Sequence, residues 1–159
     1  MSQIPLFFTA QDMSEDFMKR LREGFKGDCP CCGRHAQVYK RRLHWTIVRF
    51  LIEFYRVGGG ADFIYYGDVV RSLKGGSIGD FTKAKYWDLI ESAPSEKDEG
   101  QGSGFWKLTQ LGIDFIRGEV ELPAYVLVFA DQLIGQSEET VGVREALDEK
   151  FDYQQLMGA

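Results

Sequence analysis

The chain lacks the marks by which most enzymes and membrane proteins are recognised. No segment approaches the roughly 18 consecutive apolar residues needed to cross a bilayer. The apolar run Ile4-Pro5-Leu6-Phe7-Phe8 is short and has neither the basic start nor the cleavage site of a signal peptide. No phosphate-binding glycine loop is present. Gly58-Gly59-Gly60 has no following Lys-Ser/Thr, and Gly100 to Gly104 opens no βαβ unit. No Ser-His-acid set stands out, and Cys32 with His35 is a poor nucleophile–base pair because both sit on one turn. There is no internal repeat and no second cysteine pair. The three cysteines fall within four positions, an odd count with poor geometry for a disulfide framework. These absences argue for a soluble, cytoplasmic protein of a reducing compartment, without membrane contact and without enzymatic activity.

What is present suits a packed domain. The 159 residues are 44% hydrophobic and 14% aromatic, enough for a core and too apolar for disorder. The net charge of -5 hides an asymmetry. Residues 17 to 57 carry ten Lys or Arg against three acids, a balance of +7. Residues 1 to 16 contribute -3 and residues 58 to 159 contribute -9. Such asymmetry fits a basic surface for an anionic partner, and equally fits attraction between the two halves.

Spacing and capping residues predict the elements. Ser14 caps a helix to Arg22, with Glu15 and Asp16 at its start, basic residues at its end, and Phe17 and Leu21 buried. A short strand is expected within Ala36 to Leu43. His44 to Val57 is a helix whose polar positions Thr46, Arg49, Glu53 and Arg56 form one narrow stripe, so the rest is buried. After the glycine break, Tyr66, Val69, Val70 and Leu73 mark a short helix stopped by Gly75-Gly76. Asp80 caps another through Trp87, with Phe81, Ala84 and Trp87 inward. Strands near Leu89-Ile90 and Phe105 to Leu108 flank a long polar tip, Ser95 to Gly104. Thr109 caps a helix from Leu111 to Arg117, ended by Gly118. A strand over Pro123 to Phe129 has partners near Leu133-Ile134 and Val141 to Val143, and a helix over Arg144 to Phe151 closes the chain.

Helix, glycine turn, second helix, hairpin and wing is the order of a winged helix-turn-helix. The expected fold is α+β: a winged-helix-like domain preceded by a Cys-rich knuckle and followed by a small β hairpin and helix. Residues 1–28 form an N-terminal segment with one helix, and 29–159 form the knuckle and winged-helix-like domain with its C-terminal extension. In DNA readers of this type the second short helix enters the major groove. Thr82, Lys83, Lys85 and Tyr86 are then the groove-facing candidates, and the dense basic run Lys40-Arg41-Arg42 is a phosphate-gripping candidate. Against DNA stand Asp80 and Asp88 beside that helix, and a tip carrying Glu96, Asp98 and Glu99 against Lys97, a charge that phosphate repels.

Cys29-Pro30-Cys31-Cys32-Gly33-Arg34 has the form of half a zinc site: glycine permits the tight turn, and backbone amides aimed at sulfur stabilise thiolates. Structural zinc takes four ligands. Cys29, Cys32, His35 and His44 are the candidate set for one structural zinc, though their spacing is not a standard pattern. The metal-free alternative buries Cys29 and Cys32 as small hydrophobes, and His44 beside Trp45 at a helix start suits a cap as well as a ligand.

The string Cys29-Pro-Cys-Cys-Gly-Arg, then Tyr39-Lys-Arg-Arg-Leu and Tyr86-Trp-Asp-Leu-Ile-Glu, resembles a family of uncharacterised phage and prophage proteins. So do Gly104-Phe-Trp-Lys-Leu-Thr and the closing Lys150-Phe-Asp-Tyr. The resemblance covers residues 29 to 157 and implies a phage origin and a bacterial host cytoplasm. It also implies a DNA-related or host-directed role, with no mechanism to transfer, and a glycine at the place of Asp88. The expected function is DNA binding with a regulatory role. The alternatives are a protein-binding accessory or host-directed factor, and a zinc-stabilised structural adaptor.

Overall fold

A computed structural model describes residues 9–73, 81–94 and 104–158. The apolar run before Thr9, the Gly75-Gly76 stop, the Asp80 cap and the acidic tip with Glu96, Lys97, Asp98 and Glu99 lie outside the described residues. The architecture is α+β. Six α-helices are complete within the described residues, and the strands form four small sheets. No helix among the described residues is long and apolar enough to cross a membrane.

The chain divides into two compact units. The first runs up to Arg41 and includes Leu127–Gly135, and the second holds Arg42–Val126 and Gln136–Ala159. The cysteine segment therefore groups with the N-terminal helix, where the sequence suggested a division at residue 28.

In the first unit, α1 spans Ala10–Arg22 and buries Phe17 and Leu21. It starts earlier than Ser14, which lies inside it. The reason is a capping box: Thr9 Oγ1 accepts from Asp12 N at 3.1 Å, and Asp12 Oδ2 accepts from Thr9 N at 3.0 Å. Two otherwise unpaired amides are satisfied reciprocally. Strands β1 (Gly27–Asp28) and β2 (His35–Ala36) pair antiparallel around the cysteines. Strand β3 covers Tyr39–Arg42 and belongs to the β3–β8–β9 sheet, with β8 at Tyr125–Phe129 and β9 at Gln132–Gln136. Ala130 and Asp131, both at positive φ (48° and 63°), turn β8 into β9 through a two-residue loop whose twist matches that of paired strands.

The second unit is built on α2 (Trp45–Phe54), which buries Ile47, Val48, Phe50, Leu51, Ile52 and Phe54. The polar stripe anticipated along it is half-buried at Thr46, Arg49 and Glu53 and exposed only at Arg56. α2 runs into a π-helical turn, Tyr55–Gly59, that breaks at Gly58 with φ 105°. Then come β4 (Ile64–Tyr65), α3 (Tyr66–Ser72), a helical turn at Phe81-Thr82 that continues as a 3-10 helix over Lys83–Trp87, and β5 (Ile90–Ser92). After the tip, β6 (Phe105–Leu108) returns and lies between β4 and β5 in the order β4–β6–β5. Ile64 faces Trp106 on one side, and Ile90 faces Leu108 on the other.

Helix α4 (Gln110–Ile116) follows β6 directly, and Thr109 caps it by accepting from Gly112 N at 3.0 Å. The long strand expected from Pro123 is divided at Ala124: β7 (Leu122–Pro123) pairs with β10 (Thr140–Val141) rather than continuing into β8. Helix α5 (Val143–Leu147), a 3-10 turn at Asp148–Lys150 and α6 (Tyr153–Leu156) end the chain, where one helix over Arg144 to Phe151 was expected. Asp148 at φ 60° marks the break.

An aromatic cluster forms the core of this unit. The Phe81 ring lies 4.2 Å from Phe50, 5.3 Å from Phe54 and 5.9 Å edge-on from Trp106. The segment at 81–87 is thereby anchored between α2 and the β4–β6–β5 sheet.

Candidate functional site

Two sets of residues carry chemistry, one in each unit. In the second unit, Phe81, Ala84 and Trp87 point inward, with relative exposures of 0%, 0% and 5%. Trp87 adds a hydrogen bond from Nε1 to the carbonyl of Pro123 at 2.8 Å. Inward residues three apart stack on one side of a 3-10 helix, which leaves the intervening positions to face outward. Lys85 is exposed, while Thr82, Lys83 and Tyr86 are half-buried. The Lys85 ammonium lies 5.2 Å from the Tyr86 ring centroid, a cation–π distance. All four groove-facing candidates thus occupy one short, well-anchored segment. It ends at Asp88, whose φ of 58° and ψ of 35° are left-handed. Glycine is the residue best suited to that conformation, and aspartate is tolerated there.

The three-stranded sheet and the residue just before β4 carry exposed aromatic side chains. Phe63, Tyr65 and Phe105 are 39%, 37% and 44% exposed. Tyr65 lies 5.6 Å from Phe105 and 5.0 Å from Tyr66. The Lys107 ammonium sits 4.9 Å from the Phe63 ring and pairs across strands with Glu91 at 3.1 Å. Sequence reading placed Phe105 in a strand and gave Phe63 and Tyr65 no element, without anticipating that all three stay exposed. A signal existed: alternation across β4 and β6 leaves Tyr65 and Phe105, directly paired, on the same side.

A second group also went unanticipated. The Trp45 and Phe151 rings are 5.3 Å apart, with the Lys150 ammonium 4.7 Å over Trp45 and the Arg49 guanidinium 4.7 Å over Phe151. Arg49 Nε is buried and unbonded. Arg42, exposed at the end of β3, lines a recess of about 110 Å³ with His44, Trp45, Ala146, Asp148 and Lys150. Lys40 and Arg41 belong to the first unit: Lys40 is exposed, and Arg41 is half-buried with its guanidinium 5.0 Å over the Tyr39 ring.

The cysteine turn is held by its backbone. Cys29 N donates to Arg34 O at 2.8 Å, and Gly33 N donates to Cys29 O at 2.8 Å. Gly33 has φ 72°, a conformation that costs other residues about 1–2 kcal/mol. The amides of Cys31 and Cys32 hydrogen-bond the Cys29 sulfur and hold its thiol below the ordinary range. Lost hydration pushes the Cys31 thiol up, and the neighbouring Cys29 charge adds to that. All three thiols are free, with Cys29 half-buried and Cys31 and Cys32 exposed. The expectation that Cys29 and Cys32 serve as buried hydrophobes does not describe this turn.

The four candidate metal ligands are not gathered. The Cys29 thiol interacts with the thiols of both Cys32 and Cys31. His35 Nδ1 is 3.5 Å from Asp28 Oδ1, its cross-strand neighbour. His44 caps α2, its Nδ1 3.4 Å from Thr46 N and 3.1 Å from Thr46 Oγ1. Among the described residues no group of three or more His, Cys, Asp or Glu side chains is placed to hold a metal ion. The histidine spacing fails because each ring is engaged locally. No family model, curated protein or solved structure matches the chain.

Proposed function

We propose that this chain binds double-stranded DNA through a winged-helix surface and acts as a regulator of phage type in the bacterial cytoplasm. The observation that carries the reading is the strand order β4–β6–β5, with β4 between α2 and α3 and β5 directly after the 81–87 segment. A winged helix needs that order: the strand between the first two helices pairs with the returning strand of the wing hairpin, closing the sheet over the helical core. The 81–87 segment then corresponds to the recognition helix, with Lys83 and Lys85 as its cations. Arg42, exposed in the same unit, supplies a further basic group for phosphate, which in DNA readers sets affinity and register. The resemblance of the cysteine and Trp-rich segments to prophage proteins points to the phage origin.

The test is fluorescence anisotropy of a labelled duplex at low salt. We expect binding that weakens steeply as salt rises. Replacing both lysines (Lys83→Glu with Lys85→Glu) should weaken it more than tenfold and flatten the salt slope by about two phosphate contacts. Absence of binding at the lowest salt overturns the reading, and unchanged affinity of the double variant overturns the placement of 81–87.

One observation favours a second reading. The exposed Phe63, Tyr65 and Phe105 suit a protein partner, since aromatic residues are enriched in such interfaces. On that reading the chain is a host-directed accessory, and Phe105→Ala rather than the lysine changes is what impairs it.

A further inference from the structure

We propose that the cysteine turn is half of a zinc site shared between two copies of this chain, with Cys29 and Cys32 of each copy forming one tetrahedral four-thiolate centre.

The turn is prepared for a metal before any metal arrives. Two backbone amides hydrogen-bond the Cys29 sulfur. The Cys29–Arg34 and Gly33–Cys29 hydrogen bonds, 2.8 Å each, lock the loop between β1 and β2. Amides directed at sulfur orient and stabilise ligating thiolates, the outer-shell role that metal sites need. Cys32 is exposed at the tip, as a ligand shared with another molecule must be.

Among the described residues the chain does not complete the site alone. Its sulfur and imidazole donors are three cysteines and two histidines, and all five lie in described residues. His44 caps a helix, His35 pairs with Asp28, and Cys31, whose thiol contacts that of Cys29, makes no metal-holding group of three with the pair among the described residues. A closed structural site takes four ligands, so two remain to be found. A two-fold axis through the metal supplies them as a second copy of the same pair, the commonest symmetry of protein assembly.

Charge is consistent with this arrangement. Four thiols binding one divalent zinc release four protons and leave a centre of charge -2. Arg34, exposed immediately after the turn, contributes one cation from each copy, and the exposed Lys26 stands just before β1. The pair of arginines alone balances the centre. Cys31, between the ligands in sequence, stays outside it.

The experiment uses the full chain, purified with reductant and without chelator, titrated with zinc chloride. Light scattering and native mass spectrometry should show a mass twice that of the 18.1 kDa chain with one zinc per two chains, reverting to single chains on chelation. Cobalt substitution should give the absorption of a tetrahedral thiolate site. In the zinc form Cys29 and Cys32 should resist alkylation while Cys31 reacts. Cys32→Ser should remain single at every zinc concentration, and Cys31→Ser should still pair. One zinc per single chain, a dimer that survives chelation, or no zinc uptake each overturns the proposal. The alkylation pattern of the unaltered protein decides the ligands even where a cysteine variant fails to fold. DNA binding enters none of these readouts, so this inference and the DNA reading stand or fall separately.

Discussion

The segment that carries the proposed recognition surface is held by a few atoms. Thr109 Oγ1 donates to the carbonyl of Asp88 at 2.6 Å while accepting from Gly112 N, and Thr109 N donates to Leu89 O at 3.0 Å. Gly112 completes this junction by having no side chain: a Cβ there would stand 2.3 Å from Leu89 O. Backbone on both sides cannot yield as a flexible side chain would. Gly112→Ala should therefore cost about 2–3 kcal/mol, at the upper end for overpacking, read as a lower urea midpoint at unchanged slope. A loss below about 0.5 kcal/mol, the range of an unconstrained surface change, would mean that α4 does not approach β5 so closely. At this scale much was legible. The inward triplet Phe81, Ala84 and Trp87 followed from spacing. The close approach at Gly112 was not legible, because nothing in a sequence marks which glycine lies against another backbone.

At the scale of elements, sequence reading succeeded where hydrophobic stripe and cap agreed, and missed where two caps competed. α2 and α4 start next to the caps assigned to them, His44 and Thr109. For α1, Ser14 is a good cap by type, but Thr9 wins because Asp12 three residues on returns the hydrogen bond. Thr9→Ala should thus lower stability by about 1 kcal/mol, seen as a drop of several degrees in Tm, whereas Ser14→Ala should change it by no more than a few tenths. The reverse pattern would restore the shorter helix. The division of the Pro123–Phe129 strand was illegible for a different reason. Its alternation runs unbroken from Leu122 to Phe129, and what splits it is the choice of partner: Ala124 N donates to Glu139 O while Leu43 N donates to Ala124 O. Pairing of that kind is set by the fold and leaves no local mark. The cysteine turn was legible as a turn, and the failure of its histidines to join it follows from local engagement that spacing does not reveal.

For the whole molecule, the distribution of charge matters more than the total. A chain of net charge -5 and sequence pI near 5.1 should be excluded by a polyanion at neutral pH if its charges were evenly spread. Instead +7 is concentrated in residues 17 to 57. Some of that charge is answered within the stretch itself, as by the Arg56–Glu53 pair at 3.4 Å, while Lys107–Glu91 and Arg117–Glu119 are pairs inside the acidic remainder. Exposed pairs of this kind contribute little and leave the surrounding field largely intact. The field of the basic residues should then reach as far as the Debye length, about 30 Å at 0.01 M salt and about 8 Å at 0.15 M. We expect the protein to be retained on immobilised heparin at pH 7 in low salt despite its net negative charge, and to elute as the salt approaches physiological strength. Reversing Arg41 and Arg42 together (Arg41→Glu with Arg42→Glu) lowers the local balance from +7 to +3 and should bring elution forward markedly. Flow-through of the unaltered protein at the lowest salt would mean that the acidic remainder already neutralises the basic stretch, leaving the exposed aromatic sheet as the stronger candidate for contact with a partner.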